Sequence, residues 1–288
     1  MSSQAVSQAL LSGNFHDEST PEQRADVLLK LRKVADLRIS IGYVDLGDGR
    51  SAIVVHPVHR QQILNGEFVR QNTSLPIPRL LMLFEAEIRK AKLVVAVTTQ
   101  IEGKRFSRAL INKELSPEDL SAIVRSIAGW MDEIRRLPLA PLSPPSKIGT
   151  CSGGPFSHEQ FTSEHTESED VRPKAAFTDT QEFHDYWWAR AESSRAWYEP
   201  RVEPLPTTDV DATRESVLAH GNLDPTNLMV NNGKVVAILR WGSFGWWPEF
   251  WEKYALWIAS RGYPLWEDVV EEHFEKPAPV FHPSENRF

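Results

Sequence analysis

The chain has 288 residues, 41% hydrophobic and 25% charged, with a formal net charge of -7, enough material for one large globular domain or two smaller lobes. No stretch approaches the roughly 18 apolar residues of a spanning helix, and Met1 to Leu11 has neither a basic start nor a long apolar core, so membrane insertion and a secretory leader are not expected. A single cysteine, Cys151, excludes a disulfide framework and a cysteine-built metal site and fits a cytoplasmic location, and without a basic cluster nucleic acid is not an expected partner.

In chain order, residues 1–20 are polar and small and read as a flexible N-terminus. Ser19-Thr20-Pro21-Glu22 marks a helix start, and Leu28, Leu29, Leu31 and Val34 carry an apolar stripe to about residue 36. Ile39 to Leu46, a Gly47-Asp48-Gly49 turn and Ser51 to Val55 predict a β-hairpin. A short helix over Ile63 to Asn72 precedes the extended Pro76-Ile77-Pro78 segment, and Leu80 to Ala86 and Leu93 to Ile101 form a second strand pair. The clearest helix is capped by Ser116-Pro117-Glu118-Asp119, with Leu120, Ile123, Val124, Ile127, Met131 and Ile134 at helical spacing, and ends at Pro138. Residues 151–180 read as loop. The remainder holds nine of the ten tryptophans, a strand over Lys234 to Leu239 and a helix over Pro248 to Arg261. Mixed α/β elements first and helices later suit a small sheet-bearing lobe joined to a larger helical one.

The segment that carries chemistry runs from His220 through Gly221, Asn222, Leu223, Asp224, Pro225, Thr226 and Asn227 into Leu228-Met229-Val230, then a turn at Asn231-Asn232-Gly233, and Val235 to Arg240 followed by Trp241. A polar loop leading into a hairpin can present Asn222, Asp224 and Asn227 on one side and Arg240 on the other, as in a binding site. The same residues also suit a loop that satisfies its own backbone through Asx-turns.

This stretch resembles the catalytic segment of the aminoglycoside phosphotransferase and choline kinase group, especially its branch common in filamentous fungi. The pattern there is His-Gly-Asp-Leu-His-Pro-x-Asn, a hairpin, then Ile-Ile-Asp-Trp-Glu and an aromatic run. Gly245-Trp246-Trp247-Pro248-Glu249-Phe250-Trp251-Glu252 matches the run closely, and Asn72-Thr73-Ser74-Leu75-Pro76-Ile77-Pro78-Arg79, Ile101-Glu102-Gly103-Lys104 and Ile148-Gly149 with Gly153-Gly154-Pro155-Phe156 resemble earlier segments in the right order. The resemblance implies a two-lobed, protein-kinase-like α/β fold. It divides the chain into a small N-lobe over 21–103, a helical C-lobe over 104–276 containing the catalytic-loop-like segment 220–241, and a tail over 277–288.

The departures from the pattern bear on function. The resemblance implies that the residue at Asn222 acts on the attacking hydroxyl, that Asn227 holds magnesium, and that the residue at Arg240 chelates the metal on the phosphates. Here the first aspartate is Asn222, the second is Arg240, and the following glutamate is Gly242. The phosphate-gripping lysine falls near His56, and its partner glutamate near Gln61, Gln62, Ile63 and Leu64, which leaves Asn227 as the one match of five. Losing a general base removes roughly 10²–10⁴ in rate. Exchanging a metal-chelating carboxylate for a cation is worse, on the order of 8 kcal/mol at about 4 Å and an effective dielectric near 20. Asp224 stands two residues past the lost base, either as a substitute or as a turn residue before Pro225.

His220 reads as a general base or, as the resemblance implies, a structural buttress of the loop. His56 and His59 read as anion ligands or as surface residues after a strand. Cys151 has no neighbouring cation to activate it, and Glu164 to Asp170 reads as a solvated acidic loop. Trp187, Trp188, Trp197, Trp241, Trp246, Trp247 and Trp251 are candidates to line an aromatic pocket; a helical core is the alternative for Trp251 and Trp257. The expectation is a degenerate, pseudokinase-like member of the family in which Asn222, Asp224 and Arg240 do non-phosphotransfer chemistry of secondary metabolism, such as proton transfer, cyclisation or rearrangement. Asn227, Trp241, Trp246, Trp247, Trp187 and Trp188 would bind a small apolar or aromatic molecule, with His56 at the former cofactor position, no metal ligand and no cofactor. The alternatives are a non-catalytic binding or scaffold protein, and a non-standard phosphotransferase using ATP and magnesium.

Overall fold

The computed structural model describes residues 15–33, 43–156, 173–195 and 213–274. Its elements are α1 (Pro21–Lys33), β1 (Val44–Asp45), β2 (Arg50–Val55), α2 (Arg60–Asn72), β3 (Leu80–Ile88), β4 (Ala91–Thr99), β5 (Lys104–Arg105), α3 (Phe106–Ile111) and α4 (Pro117–Arg135). They continue with β6 (Gly149–Thr150), α5 (Thr180–Arg195), β7 (Val217–Ala219), β8 (Leu228–Asn231), β9 (Lys234–Ile238), β10 (Gly245–Trp247), α6 (Trp251–Ser260) and α7 (Pro264–His273). Two compact units result, one from Ala9–Asp119 and Pro225–Gly242, the other from Leu120–Asp224 and Ser243–Phe288. The fold class is mixed α/β, as expected.

The first unit is built on an antiparallel sheet of order β1-β2-β4-β3. Strands β2 and β4 read as continuous apolar runs because both faces are covered. On one face Val27 and Leu31 of α1 pack with Leu46, Ala52, Val54, Met82, Phe84, Leu93, Val95 and Val97. On the other, Ile53, Val55, Leu80, Leu83, Val94 and Ala96 pack with Leu64 of α2. Alternate residues of β2 and β4 thus face opposite helices. A capping box starts α1: the Gln23 amide donates to Thr20 Oγ1 (3.3 Å) and the Thr20 amide to Gln23 Oε1 (2.8 Å). Asp48, in the β1–β2 turn, pairs with Lys30 of α1 and with Arg50. Hydrogen bonds from Arg50 and Lys30 hold its carboxyl well below the usual carboxylate range. A second sheet of this unit, β5-β8-β9, carries the hairpin of the chemistry-bearing segment. The turn of that hairpin lies against Asp119: a Cβ on Gly233 (φ +73°) would stand 2.1 Å from the Asp119 carboxylate.

The second unit combines α4–α7 with a three-stranded antiparallel sheet of order β6-β10-β7. Ser116 caps α4, receiving the Asp119 amide at 3.1 Å, and the predicted stripe Leu120, Ile123, Val124, Ile127, Met131 and Ile134 is the face it buries.

Strand β5 pairs with β8 (Lys104 with Val230, Arg105 with Met229), and 104–119 and 225–242 cluster with the first unit. Two expectations need correction. The tryptophan-rich part holds α5, β7, β10 and α7 beyond the one hairpin and one helix given ranges from the sequence; three-residue strands are too short to show a period of two. The helix expected from Pro248 begins at Trp251. Expected features at 34–42, in the acidic run Glu164 to Asp170 and at Trp197 lie outside the described residues.

Candidate functional site

The loop between β7 and β8 belongs to the second unit as far as Asp224. His220 and Leu223 are fully buried, Asn222 is nearly so, and Asp224 is half-buried. The Asn222 amide donates to His220 Nδ1 at 3.2 Å, so this ring nitrogen is an acceptor, which supports the buttress reading of His220. Gly221 sits at φ +83°, and a Cβ there would lie 2.8 Å from the Ser243 carbonyl oxygen and 2.8 Å from the Trp247 ring. Only glycine fits this turn.

The loop is held from below by α6. The Gly221 amide donates to Glu252 Oε2 at 2.7 Å, and the Leu223 amide to Glu252 Oε1 at 3.0 Å. Trp251 Nε1 donates to the Gly221 carbonyl oxygen at 3.0 Å. Burial pushes the Glu252 carboxyl up to about 7, against the opposing pull of the backbone amides of Gly221, Leu223 and His220 and the charge of Arg135. Glu252 stands inside the aromatic run of the sequence, yet nothing in its spacing marks it as the anchor of a loop 30 residues earlier.

The aromatic residues near this loop form a packed cluster. Trp247 is fully buried, stacked on Phe156 (3.8 Å between centroids) and on Trp251 (4.8 Å), with Nε1 donating to the Ser243 carbonyl oxygen. Phe183 meets Trp247 and Trp251 edge-on, and Trp187 of α5, half-buried, meets Trp251 edge-on at 4.9 Å. These contacts make Trp247 and Trp251 core residues. Trp246, the middle of β10, is 6% exposed, and its Nε1 makes no hydrogen bond among the described residues. The Trp188 side chain lies outside the described residues.

Asn227, Arg240 and Trp241 belong to the first unit. Asn227 is fully buried at the entry to β8, and its carbonyl accepts the Leu239 amide at 2.9 Å. Arg240, half-buried just past β9, has φ +63°, a left-handed backbone outside any hairpin turn. Trp241 is clamped against α2. Its ring lies where a Cβ on Gly66 would be, 2.8 Å away, Asn65 Nδ2 donates to its carbonyl at 3.0 Å, and its Nε1 donates to Ile238 at 3.2 Å. At 3% exposure Trp241 is an anchor of the Arg240 turn. Asn65 and Gly66, which hold that turn, carry no sequence signal beyond lying on a predicted helix.

His56 is exposed at the end of β2, and its carbonyl accepts the His59 amide at 2.9 Å. The residue of that strand end facing α2 is Val55, fully buried and apolar. Cys151 is buried, donates to the Phe244 carbonyl oxygen, and burial raises its thiol out of the reactive range.

Among solved structures, the chain is similar to the aminoglycoside phosphotransferase APH(4)-Ia, at 16% identity over 87% of this chain and 83% of that one, TM-score 0.47. It is also similar to APH(3'')-Id from Streptomyces rimosus ATCC10970 in complex with ADP and streptomycin, at 16% identity over 91% and 93%, TM-score 0.46. A third is the streptomycin-ATP-APH(2")-IIa ternary complex, at 13% identity over 91% and 86%, TM-score 0.45. No curated protein matches the sequence. The model of the phosphotransferase enzyme family (APH) matches residues 58–278, well over half of the chain. The chain belongs to the phosphotransferase enzyme family.

Proposed function

We propose that this protein is a member of the family in which metal-dependent phosphate transfer has given way to binding, and chemistry, of a small molecule without magnesium. The observation that carries the reading is Arg240. A guanidinium, held in a left-handed turn clamped by α2, stands where the resemblance implies a metal-chelating aspartate. The donors at the three resembling positions, Asn222, Asn227 and Arg240, are two amides and a cation, a set that does not fit a hard divalent ion. Asn222 cannot take up a proton from an attacking hydroxyl at any ordinary pH.

In the second unit, Asn222 can supply hydrogen bonds and Asp224 a carboxylate for a proton step; in the first, Arg240 can supply charge to an acidic or carbonyl oxygen. Trp247, Trp251 and Trp241 are committed to packing, so an apolar part of the ligand would be met by Trp187 and Trp246. The reading includes a repurposed enzyme and, because Asn222 is a poor base, a binding protein without turnover. Family membership favours a second reading, a slow phosphotransferase with Asp224 as base. Calorimetric titration with ATP, in magnesium or in EDTA, compares wild type with Arg240→Asp. Wild type is expected to show no magnesium-dependent binding, and the restored carboxylate to introduce some. Tighter ATP binding by wild type in magnesium than in EDTA would establish the second reading instead.

A further inference from the structure

The buried carboxyl of Glu252 is geometrically more than a brace. Each of its two oxygens accepts a different amide of the same loop, Oε2 that of Gly221 and Oε1 that of Leu223, on either side of Asn222. A carboxylate can accept at both oxygens at once. A carboxylic acid carries its proton on one of them, and that oxygen becomes a poor acceptor for the amide it faces. Gly221 is also fixed, independently of the carboxyl, by Trp251 Nε1 on its carbonyl. Proton uptake therefore alters the amide contacts while Gly221 stays tethered, which makes the response local.

Space for a water lies beside the carboxyl. Glu252 lines a cavity of about 10 Å³, room for one water molecule, together with Met131, Ile134 and Arg135 of α4, Leu218 and Ala219 of β7, and Glu249. Among the described residues, the charged and titratable groups around Glu252 are Arg135 from α4, Glu249 from the turn before α6, and His220 within the loop. Arg135 Nη1 stands 3.8 Å from Glu249, and Arg214 pairs with Glu249 at 2.7 Å. Arg135 favours the charged form of Glu252, whereas burial favours the neutral form. The two influences oppose each other at a group that touches the loop directly.

We propose that Glu252 is a proton-operated latch: ionised, it holds the Gly221–Leu223 turn through both amides; protonated, it releases one of them and loosens the position of Asn222. The inference concerns the loop itself and holds for any ligand. It is independent of the proposed function, since a failed nucleotide test leaves the latch standing and a failed latch leaves the nucleotide test untouched.

The test is nuclear magnetic resonance on the intact wild-type protein from about pH 5 to about pH 9. The side-chain carboxyl carbon of Glu252 and the amide protons of Gly221 and Leu223 are followed together. The expected result is one shared transition with a midpoint near 7, lost from both amides in Glu252→Gln and retained in His220→Gln. Amides that stay flat while the carboxyl titrates would overturn the latch. So would a carboxyl midpoint in the ordinary carboxylate range, or amides that follow the His220 ring instead. Because the decisive comparison is within wild type, poor folding of either variant leaves the answer intact.

Discussion

Gly221 and Arg240 share a left-handed backbone but stand there for different physical reasons. At Gly221 the conformation and the space both exclude a side chain, since a Cβ would meet a carbonyl oxygen and an indole ring at 2.8 Å. Gly221→Ala is expected to lower stability by about 3 kcal/mol or more, through backbone strain added to overpacking. Urea unfolding followed by tryptophan fluorescence measures this, and a loss within about 0.5 kcal/mol would show that the turn can open at no expense. At Arg240 no hairpin requires the left-handed state, and a side chain with a Cβ in that region carries roughly 1–2 kcal/mol of strain. Arg240→Gly is expected to relieve that backbone strain and to weaken binding of an anionic ligand in calorimetric titration. A variant that unfolds would mean that the guanidinium serves the fold.

Helix α6 links packing to the loop. Trp251 and Glu252, adjacent in its first turn, reach the same residue, Gly221, from two directions. The Glu252 carboxyl has a folded value of about 7 against 4.5 unfolded. Its contribution to stability is thus complete below about pH 4.5, declines as pH rises, and is gone above about 7, on the order of 3 kcal/mol in all. Glu252→Gln is expected to flatten the stability–pH profile across that window, which thermal denaturation at a series of pH values reads directly. Truncation of the stacked ring, Trp247→Ala, is expected to cost about 3–5 kcal/mol. Ser116→Ala, which removes the cap of α4, is expected to cost about 1 kcal/mol. That α4 and its buried face were plain in the sequence follows from its 19 residues of amphipathic repeat and its capping serine. Strand β10 was not, because its three residues have no period and its pairing partners, Gly149 and Leu218, lie far off in the chain.

The family was within reach of the sequence because the motifs lie in order, and strands β2 and β4 because the two covered faces of the sheet leave long apolar runs. The site was legible only in part. Asn222, Asp224, Asn227 and Arg240 could be named from a contiguous stretch, but their supports could not. Glu252, Asn65 and Gly66 act through contacts 29 to 176 residues distant. The tryptophans misled for a related reason: composition counts rings but does not tell a ring lining a pocket from a ring stacked between two others, as Trp247 is between Phe156 and Trp251. The proposed loss of magnesium-dependent transfer rests on the neutral and cationic groups at Asn222 and Arg240, where the resemblance implies acidic ones. The most direct test is the melting temperature of the wild-type protein in saturating ATP, with magnesium and with EDTA. The account predicts no magnesium-dependent stabilisation by the nucleotide; a rise of several degrees that requires magnesium would contradict it.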